Sequence, residues 1–344
     1  MPSSPDCEKP MCSQKDCRMP SADKQLAKDV FEDEVYHSYN DDDVELFRDF
    51  TDITAKAVPD AYVDFLGRIT RSRFIYTCGR WTGLVSHDPP IPSDGVYADA
   101  IEYTGLLSAI RSVDDGHLVV AELGAGWGPW MAAAGVAARL KGIGKVDLIG
   151  IEGSRGKIEH MKDHLADNGL RPRGPGDQTQ HGNVGCRCVH GIIWSETGTA
   201  QFPVFDPEKQ FGAAATTELG ADRGVDYRGL TFDYETVPAY RIQDILSEYR
   251  KVDFVHIDIQ GAEVEVCRAA IEFLSNHVKY LFVATHSRKI EGELISLLLP
   301  AGFQVLREKP CRFRFHPWTG TLEGLTTVDG GQLWRNSRFS GPRQ

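Results

Sequence analysis

Near-continuous apolar runs, separated by segments with apolar residues at helical spacing, fill the middle of this 344-residue chain. The runs lie at 118–123, 146–151, 188–194, 252–259 and 278–285. A strand buried on both faces has such a sequence, and the segments between the runs have the period of amphipathic helices. The alternation predicts an α/β fold with a doubly wound, mostly parallel sheet. Shorter runs at 303–307 and 332–334 predict a final pair of strands.

The pattern before residue 113 predicts helices. Asn40 and the acidic residues 41–43 supply caps for one helix, and a second is predicted over 60–69, with Tyr62, Phe65, Leu66 and Ile69 on one side. A third helix over 97–110 leads into the first buried strand and could help to cover its end. We therefore predict a polar, disordered tail over 1–25, an N-terminal helical cap region over 26–112 and the α/β domain over 113–340.

Composition narrows the class of protein. A 41% hydrophobic chain can bury a sizeable core, and its net charge of −11 argues against nucleic acid as the main partner. No apolar run approaches the roughly 20 residues of a membrane span. The first 20 residues lack the apolar core of a signal peptide, so a cytoplasmic protein with free thiols is expected.

The first buried run ends in a glycine-rich turn, Gly124-x-Gly126-x-Gly128, which Pro129 follows. A dinucleotide fingerprint would need a glycine at 129, and a phosphate-binding P-loop would need Lys followed by Ser or Thr. Glu122 would repel a pyrophosphate but suits the ammonium group of S-adenosylmethionine (SAM); capping its own loop is the alternative role for Glu122. The turn predicts cofactor contacts from Glu122, Gly124, Ala125, Gly126 and Trp127, although core packing is an equal role for Trp127.

Two further strand ends complete the predicted cofactor site. Glu152 and Gly153 follow the second run, where a carboxylate can accept hydrogen bonds from two ribose hydroxyls. An exposed acid at a strand end is the alternative for Glu152. Gly191 and Ile192 lie by the third run, where an adenine ring could be held. The irregular stretch 205–235 is predicted to be an insertion over the site.

Four segments together resemble the FkbM-type SAM-dependent methyltransferases. They are Glu-Leu-Gly-Ala-Gly-Trp-Gly-Pro-Trp at 122–130, Gly-Ile-Glu-Gly at 150–153, Val-Asp-Phe-Val-His-Ile-Asp-Ile-Gln-Gly-Ala-Glu at 252–263 and Thr-His-Ser-Arg-Lys-Ile-Glu at 285–291. The resemblance covers about 97–335. It implies the Rossmann-like class I methyltransferase fold, a seven-stranded sheet with its last strand antiparallel, and O-methylation of sugars or secondary metabolites. Many members have Glu where this chain has Gln260.

Methyl transfer to an alcohol requires alignment of the reactants and removal of a proton. We predict His286 as the base, with a hydrogen-bonded structural role as its alternative. Asp258 is predicted to orient His286, to hold the acceptor or to contact the cofactor. Gln260 and Arg288 are predicted to bind substrate, and a surface salt bridge is the alternative for Arg288. His256, inside the sheet, is predicted to be structural.

A divalent metal is not favoured. Asp258, Glu263 and His286 are the candidate ligands, but a carboxylate at Glu263 also suits the first turn of a helix.

The predicted function is transfer of a methyl group from SAM to a hydroxyl oxygen, in natural product or polysaccharide biosynthesis. Two alternatives stay open: N- or carboxyl-methylation of a small molecule, and a SAM-binding module without catalysis. The expected partner is a small-molecule or glycan acceptor, with no nucleic acid and no membrane. The oligomeric state stays open, a homo-oligomer included.

Overall fold

The computed structural model describes residues 38–75, 78–170, 183–210, 212–216, 232–315 and 322–339, and a large sheet runs through them. The strands are β1 (Ala61–Val63), β2 (Ile69–Arg71), β3 (His117–Leu123), β4 (Lys145–Glu152), β5 (Asn183–His190), β6 (Ile192–Ile193), β7 (Gly198–Val204), β8 (Asp233–Tyr240), β9 (Val252–Ile257), β10 (Val278–Thr285), β11 (Phe303–Lys309), β12 (Arg312–Phe313), β13 (Thr326–Val328) and β14 (Gly330–Asn336). The helices are α1 (Asp41–Asp49), α2 (Ala100–Arg111), α3 (Pro129–Leu140), α4 (Arg155–Asp167), α5 (Ile242–Leu246), α6 (Glu263–Ala269), α7 (Ile271–His277) and α8 (Arg288–Leu298).

The large sheet has seven strands in the order β11-β14-β10-β9-β3-β4-β5. The strands β10, β9, β3, β4 and β5 pair in parallel, and β14 runs antiparallel to both of its neighbours. This arrangement confirms the predicted doubly wound, mostly parallel fold. It also brings the carboxyl ends of β3, β4 and β9 to one edge, where open α/β sheets bind their ligands.

Successive residues of the central strand point into two separate cores. Leu118 and Val120 pack with the apolar faces of helices α1–α4, whereas Val119 and Ala121 pack with those of α5–α8. Helices therefore cover both faces of the sheet, which explains why β3 has no alternation of apolar and polar residues.

The helix predicted over 60–69 is wrong, because the strands β1 and β2 form an antiparallel hairpin there. Asp60 begins it with a left-handed φ of +60°. The carboxylate of Asp64 then accepts hydrogen bonds from the backbone N–H groups of Leu66 and Arg68, which closes the turn. All six side chains from 61 to 66 are buried, so their spacing could not distinguish a helix from this hairpin.

Other predicted elements need smaller corrections. A 3-10 turn lies at Ser72–Phe74, where no such turn was predicted. The helical segment predicted between the runs 252–259 and 278–285 is interrupted at Ala270 into α6 and α7. Residues 211 and 217–231 of the predicted insertion and the whole predicted tail lie outside the described residues. No helix in the described ranges is long and apolar enough to cross a membrane.

Arg68 fixes the hairpin to the helices beside the site. Its fully buried guanidinium lies 2.6 Å from a carboxylate oxygen of Asp64. It also donates hydrogen bonds to the Pro129 carbonyl at the start of α3 and to the Tyr103 hydroxyl on α2. A residue far from the glycine-rich turn in sequence thus holds the helix that follows that turn.

We expect Arg68→Ala to lower the free energy of unfolding in urea by roughly 3–5 kcal/mol, because it leaves the Asp64 carboxylate buried without its partner. Arg48→Ala is the control. Arg48 pairs with Glu45 on the surface, where such pairs contribute about 1 kcal/mol or less. Equal losses for the two variants would contradict the role given to Arg68.

Candidate active site

A cavity of about 370 Å³ lies at the carboxyl ends of β3, β4 and β9, within the ~300–1,000 Å³ range of small-molecule sites. Most of the residues predicted from the sequence line it: Glu122, Gly124, Ala125, Gly126, Trp127, Glu152, Gly153, Gly191, Ile192, Asp258 and Gln260. His286, Glu263 and Arg288 are not among its lining residues. Residues separated by more than 130 positions therefore meet around one space, as the parallel sheet predicts.

The glycine-rich turn packs directly against the end of β9. Gly124 has a φ of +78°, and a Cβ added there would lie 1.8 Å from the Asp258 carbonyl oxygen. No side chain fits at that separation, so the position requires glycine. Gly126 also has a left-handed φ, of +53°, but a Cβ there would meet no protein atom within 4 Å. The turn thus leaves open space beside its own backbone.

The Glu122 carboxylate caps the helix that follows the turn. Its Oε2 atom accepts hydrogen bonds from the backbone N–H groups of Trp130 (3.0 Å) and Met131 (2.8 Å), in the first turn of α3. Only 1% of the residue is exposed. Burial raises the pKa of Glu122 to about 8, although the two N–H groups act in the opposite direction. The geometry favours the capping role over the ammonium-binding role that the sequence also allowed.

The Glu152 carboxylate bridges the turn and the end of β4. Its Oε2 accepts a hydrogen bond from Gly126 N (2.9 Å), and its Oε1 accepts one from Ser154 N (2.7 Å). Each carboxylate oxygen has two lone pairs, so each retains one for a further donor. Glu152 is buried in the cavity wall, so it is not the exposed acid that was its alternative role. Burial raises the pKa of Glu152, although the two hydrogen bonds act in the opposite direction.

Aromatic and glycine residues form the far end of the cavity. Trp127 belongs to a small core cluster with Tyr62 and Phe74 and also lines the cavity, so it combines its two predicted roles. A Cβ on Gly153 would lie 2.7 Å from the Phe202 ring, which therefore packs on the backbone just after β4. Gly191 N donates to the Glu152 carbonyl, and this bond holds the loop after β5 beside the predicted ribose position.

Asp258, His286 and Glu263 form a linked acid–histidine–acid group. His286 Nε2 lies 3.3 Å from Asp258 Oδ1, and its Nδ1 lies 3.0 Å from Glu263 Oε1. Burial lowers the pKa of His286, but the flanking carboxylates outweigh burial and hold it well above its usual range. Burial would raise the pKa of Asp258, but hydrogen bonds from His286 and Gln260 leave it below its usual range.

This geometry does not favour His286 as the proton acceptor that the sequence predicted. The side chain is 3% exposed and does not line the cavity, and an imidazolium between two carboxylates has no free lone pair. Ligand atoms of the three residues lie within 4.8 Å of one another, a spacing that a cation could use. However, the two ring nitrogens face different carboxylates, as in an ion-paired imidazolium.

Arg288, which was predicted to bind substrate, is not among the residues that line the cavity. It is the first residue of α8, and its guanidinium lies 4.7 Å from the centroid of the Phe313 ring. Its Nε also donates to the Cys311 carbonyl. The side chain thus turns toward the strand β12 because an aromatic face is offered there.

Sequence reasoning missed three polar residues that line the cavity: Glu102, His256 and Asp329. Glu102 lies in the first turn of α2, where it closes a capping box with Asp99. His256 alternates with Asp258 on one face of the strand, and this was the available signal, although it was interpreted as structural. Nothing in the sequence marks Asp329, which precedes β14.

Comparisons with known proteins match this chain to methyltransferases. The model of the methyltransferase FkbM domain matches residues 120–305. A curated relative from Jannaschia sp. (strain CCS1), named "Putative methyltransferase", is 30% identical over 264 residues, which cover 76% of this chain and 89% of that protein.

Solved structures show weaker likenesses. Methyltransferase FkbM from Methylobacillus flagellatus KT is 12% identical to this chain, with a TM-score of 0.38. The aligned region covers 68% of this chain and 54% of that protein. Precorrin-6y C5,15-methyltransferase from Geobacter metallireducens GS-15 is also 12% identical, with a TM-score of 0.35. The aligned region covers 70% of this chain and 87% of that protein. Because these identities and TM-scores are low, the family assignment rests only on the FkbM domain match and on the curated relative.

We expect the Glu122 carboxylate to make the folded state less stable as the pH rises. Its folded pKa of about 8 exceeds its usual value of 4.5, so between these pH values the folded chain holds a proton that the unfolded chain has lost. Glu122→Gln keeps an oxygen that can accept both N–H groups but does not ionise. Between pH 4.5 and 8, the free energy of unfolding of Glu122→Gln should therefore fall less steeply than that of the unmodified protein. The two slopes should differ by at most about 1.4 kcal/mol per pH unit.

Urea unfolding at several pH values checks this expectation, with Glu159→Gln, an exposed substitution on α4, as the control. Parallel stability curves for Glu122→Gln and the unmodified protein would show that Glu122 does not titrate in this window.

Proposed function

The chain belongs to the FkbM methyltransferase family, and we propose that it transfers a methyl group from SAM to a hydroxyl oxygen of a sugar or secondary metabolite. The observation that carries the proposal is the charge of the cavity. Its described lining has no Lys or Arg but has five acidic residues: Glu102, Glu122, Glu152, Asp258 and Asp329. Glu122, with a pKa of about 8, is uncharged at neutral pH, whereas Asp258 has a pKa below its usual range and is ionised. The ionised members of this wall repel a carboxylate acceptor and suit a neutral hydroxylated one.

The residues at the turn fit SAM. Glu152 retains lone pairs for two ribose hydroxyls, and the open space beside Gly126 lets a ligand approach the backbone. Gly191 and Ile192 border the part of the cavity suited to an adenine ring, and the ionised Asp258 suits a ligand with positive charge. When bound, SAM supplies an electrophilic methyl group on a sulfonium.

The chain's own residues then have three tasks. The first is to hold donor and acceptor in line, which the cavity walls formed by the turn and the end of β9 can do. The second is to exclude water, for which the aromatic rings of Tyr97, Trp127 and Trp130 line the cavity. The third is to receive the proton of the acceptor hydroxyl.

Gln260 is a candidate for contact with the acceptor and not for the proton transfer. Its side-chain amide donates to Asp258 Oδ1, and the residue lines the cavity.

Calorimetry with SAM and S-adenosylhomocysteine tests the donor, and transfer of a radiolabelled methyl group to methyl glycosides, cyclitols and phenols tests the acceptor. We expect both nucleosides to bind and a hydroxylated compound to become labelled. Absence of binding by both would remove the proposal. Binding without transfer to any acceptor would favour the SAM-binding module, and label on amines alone would favour N-methylation.

We expect Glu152→Ala to weaken SAM binding by about 1.5–3 kcal/mol, because it removes charge-assisted hydrogen bonds to the ribose. Calorimetry measures the effect. Glu159→Ala, an exposed substitution on the following helix, is the control and should leave the affinity unchanged. Urea unfolding separates lost binding from lost stability, since Glu152 also holds the Gly126 and Ser154 backbones. An unchanged SAM affinity in Glu152→Ala would remove this residue from the site.

A further inference from the structure

A second carboxylate–histidine pair lies in the wall of the cavity, apart from the group around His286. Glu102 Oε1 lies 3.1 Å from His256 Nε2, and Glu102 Oε2 accepts a hydrogen bond from Asp99 N (2.8 Å). The Glu102 side chain is 17% exposed and lines the cavity. Both of its oxygens are thus oriented by the protein, and each retains a lone pair for a further donor.

His256 is held rigidly beneath this carboxylate. Its ring stacks on Trp130, at 5.3 Å and 27°, and on Phe282, at 4.8 Å and 20°. The side chain is 4% exposed, and Nδ1 has no hydrogen-bond partner among the described residues. A buried N–H without an acceptor would be costly, so the ring hydrogen belongs on Nε2, where it donates to Glu102. His256 therefore orients Glu102 as an acceptor.

The other carboxylates of the cavity are less suited to accept a proton. One oxygen of Glu122 caps α3, and both oxygens of Glu152 accept backbone N–H groups at the predicted ribose position. The carboxylate of Asp258 is paired with His286 and Gln260. Asp329 is exposed, and no described donor orients it. Glu102 alone in this set is oriented, partly exposed to the cavity and not assigned to the cofactor.

We infer that Glu102 is the general base for the acceptor hydroxyl and that His256 is its positioning residue, an assignment that rests on the proposed O-methyl transfer. The acceptor O–H bond breaks, its proton goes to a Glu102 oxygen, and its electron pair stays on the acceptor oxygen. That oxygen forms the new bond to the methyl carbon, whose bond to sulfur breaks with the pair left on sulfur. The proton then passes from Glu102 to solvent.

The ionisation of Glu102 supports the same assignment. Burial raises the pKa of Glu102, the hydrogen bond from His256 lowers it, and the Asp99 carboxylate raises it further. Lys309 from β11 pairs with the Asp99 carboxylate. A base whose pKa lies closer to neutral pH is more effective than Asp258, whose pKa lies below its usual range.

Glu102→Gln tests the assignment, because Gln keeps the shape of the side chain and its capping position but cannot take up the proton. With the hydroxylated acceptor that the unmodified protein labels fastest, we expect kcat to fall about 100-fold or more. The calorimetric Kd for SAM and the KM for the acceptor should change little. The acid limb of the pH profile, where rate falls as the base is protonated, should disappear. Glu159→Gln is the control.

Two companion measurements separate catalysis from a structural role. His256→Phe keeps the stack but removes the hydrogen bond that lowers the pKa of Glu102, so the acid limb should move to higher pH. The deficit of Glu102→Gln should also shrink as the acceptor becomes more acidic, and 4-nitrophenol, which ionises by itself near neutral pH, should lose least.

Three results would overturn the assignment. The first is an acid limb that stays in place in Glu102→Gln, and the second is a deficit of equal size for all acceptors. The third is recovery of full activity by Glu102→Ala, which keeps no polar group. If the unmodified protein binds SAM but labels no hydroxyl, the proposed function fails and the assignment fails with it; if it labels hydroxyls, only the role of Glu102 is in question.

Discussion

The contact between the glycine-rich turn and the end of β9 is the constraint on which this site depends. The Asp258 carbonyl oxygen occupies the place of a Cβ at residue 124, at 1.8 Å, so the two loops can meet only through a glycine. This contact brings the Asp258 carboxylate beside the turn that carries Gly126. Glu122 and Glu152 hold the same turn by accepting backbone N–H groups from its two sides. A shift at any of these points would separate the predicted donor site from the groups at the end of β9.

Four buried or partly buried carboxylates surround one cavity, and their partners give them different properties. Backbone N–H groups surround Glu122 and Glu152, which serve the architecture of the turn. An ion-paired histidine keeps Asp258 ionised. Glu102 has one N–H and one imidazole as partners and keeps a raised pKa. Burial acts on all four in the same direction, so the difference comes from the donors that the fold brings to each.

The sequence predicted the parts of this arrangement that depend on local patterns. Buried runs marked the parallel strands, and the glycines with Glu152 marked the cofactor end of the cavity. The hairpin at β1 and β2 escaped prediction because its turn depends on the pair of Asp64 and Arg68, and the other partners of Arg68 lie on α2 and α3. The pair of Glu102 and His256 also escaped, because 154 positions separate residues that only the packing of α2 on β9 brings together. For His286 the sequence pattern grouped Asp258 and Glu263 with it, but it did not show that these two carboxylates would face the two ring nitrogens and hold the pKa of the histidine above its usual range.

We propose that a SAM-type donor and a hydroxylated acceptor meet in the cavity between the turn and β9. The most direct test is a crystal structure of the protein with S-adenosylhomocysteine. The predicted result is ligand density in this cavity, with both ribose hydroxyls within hydrogen-bond distance of Glu152 and with space for an acceptor between the sulfur and Glu102. Density at another place, or a ribose that does not contact Glu152, would contradict the account.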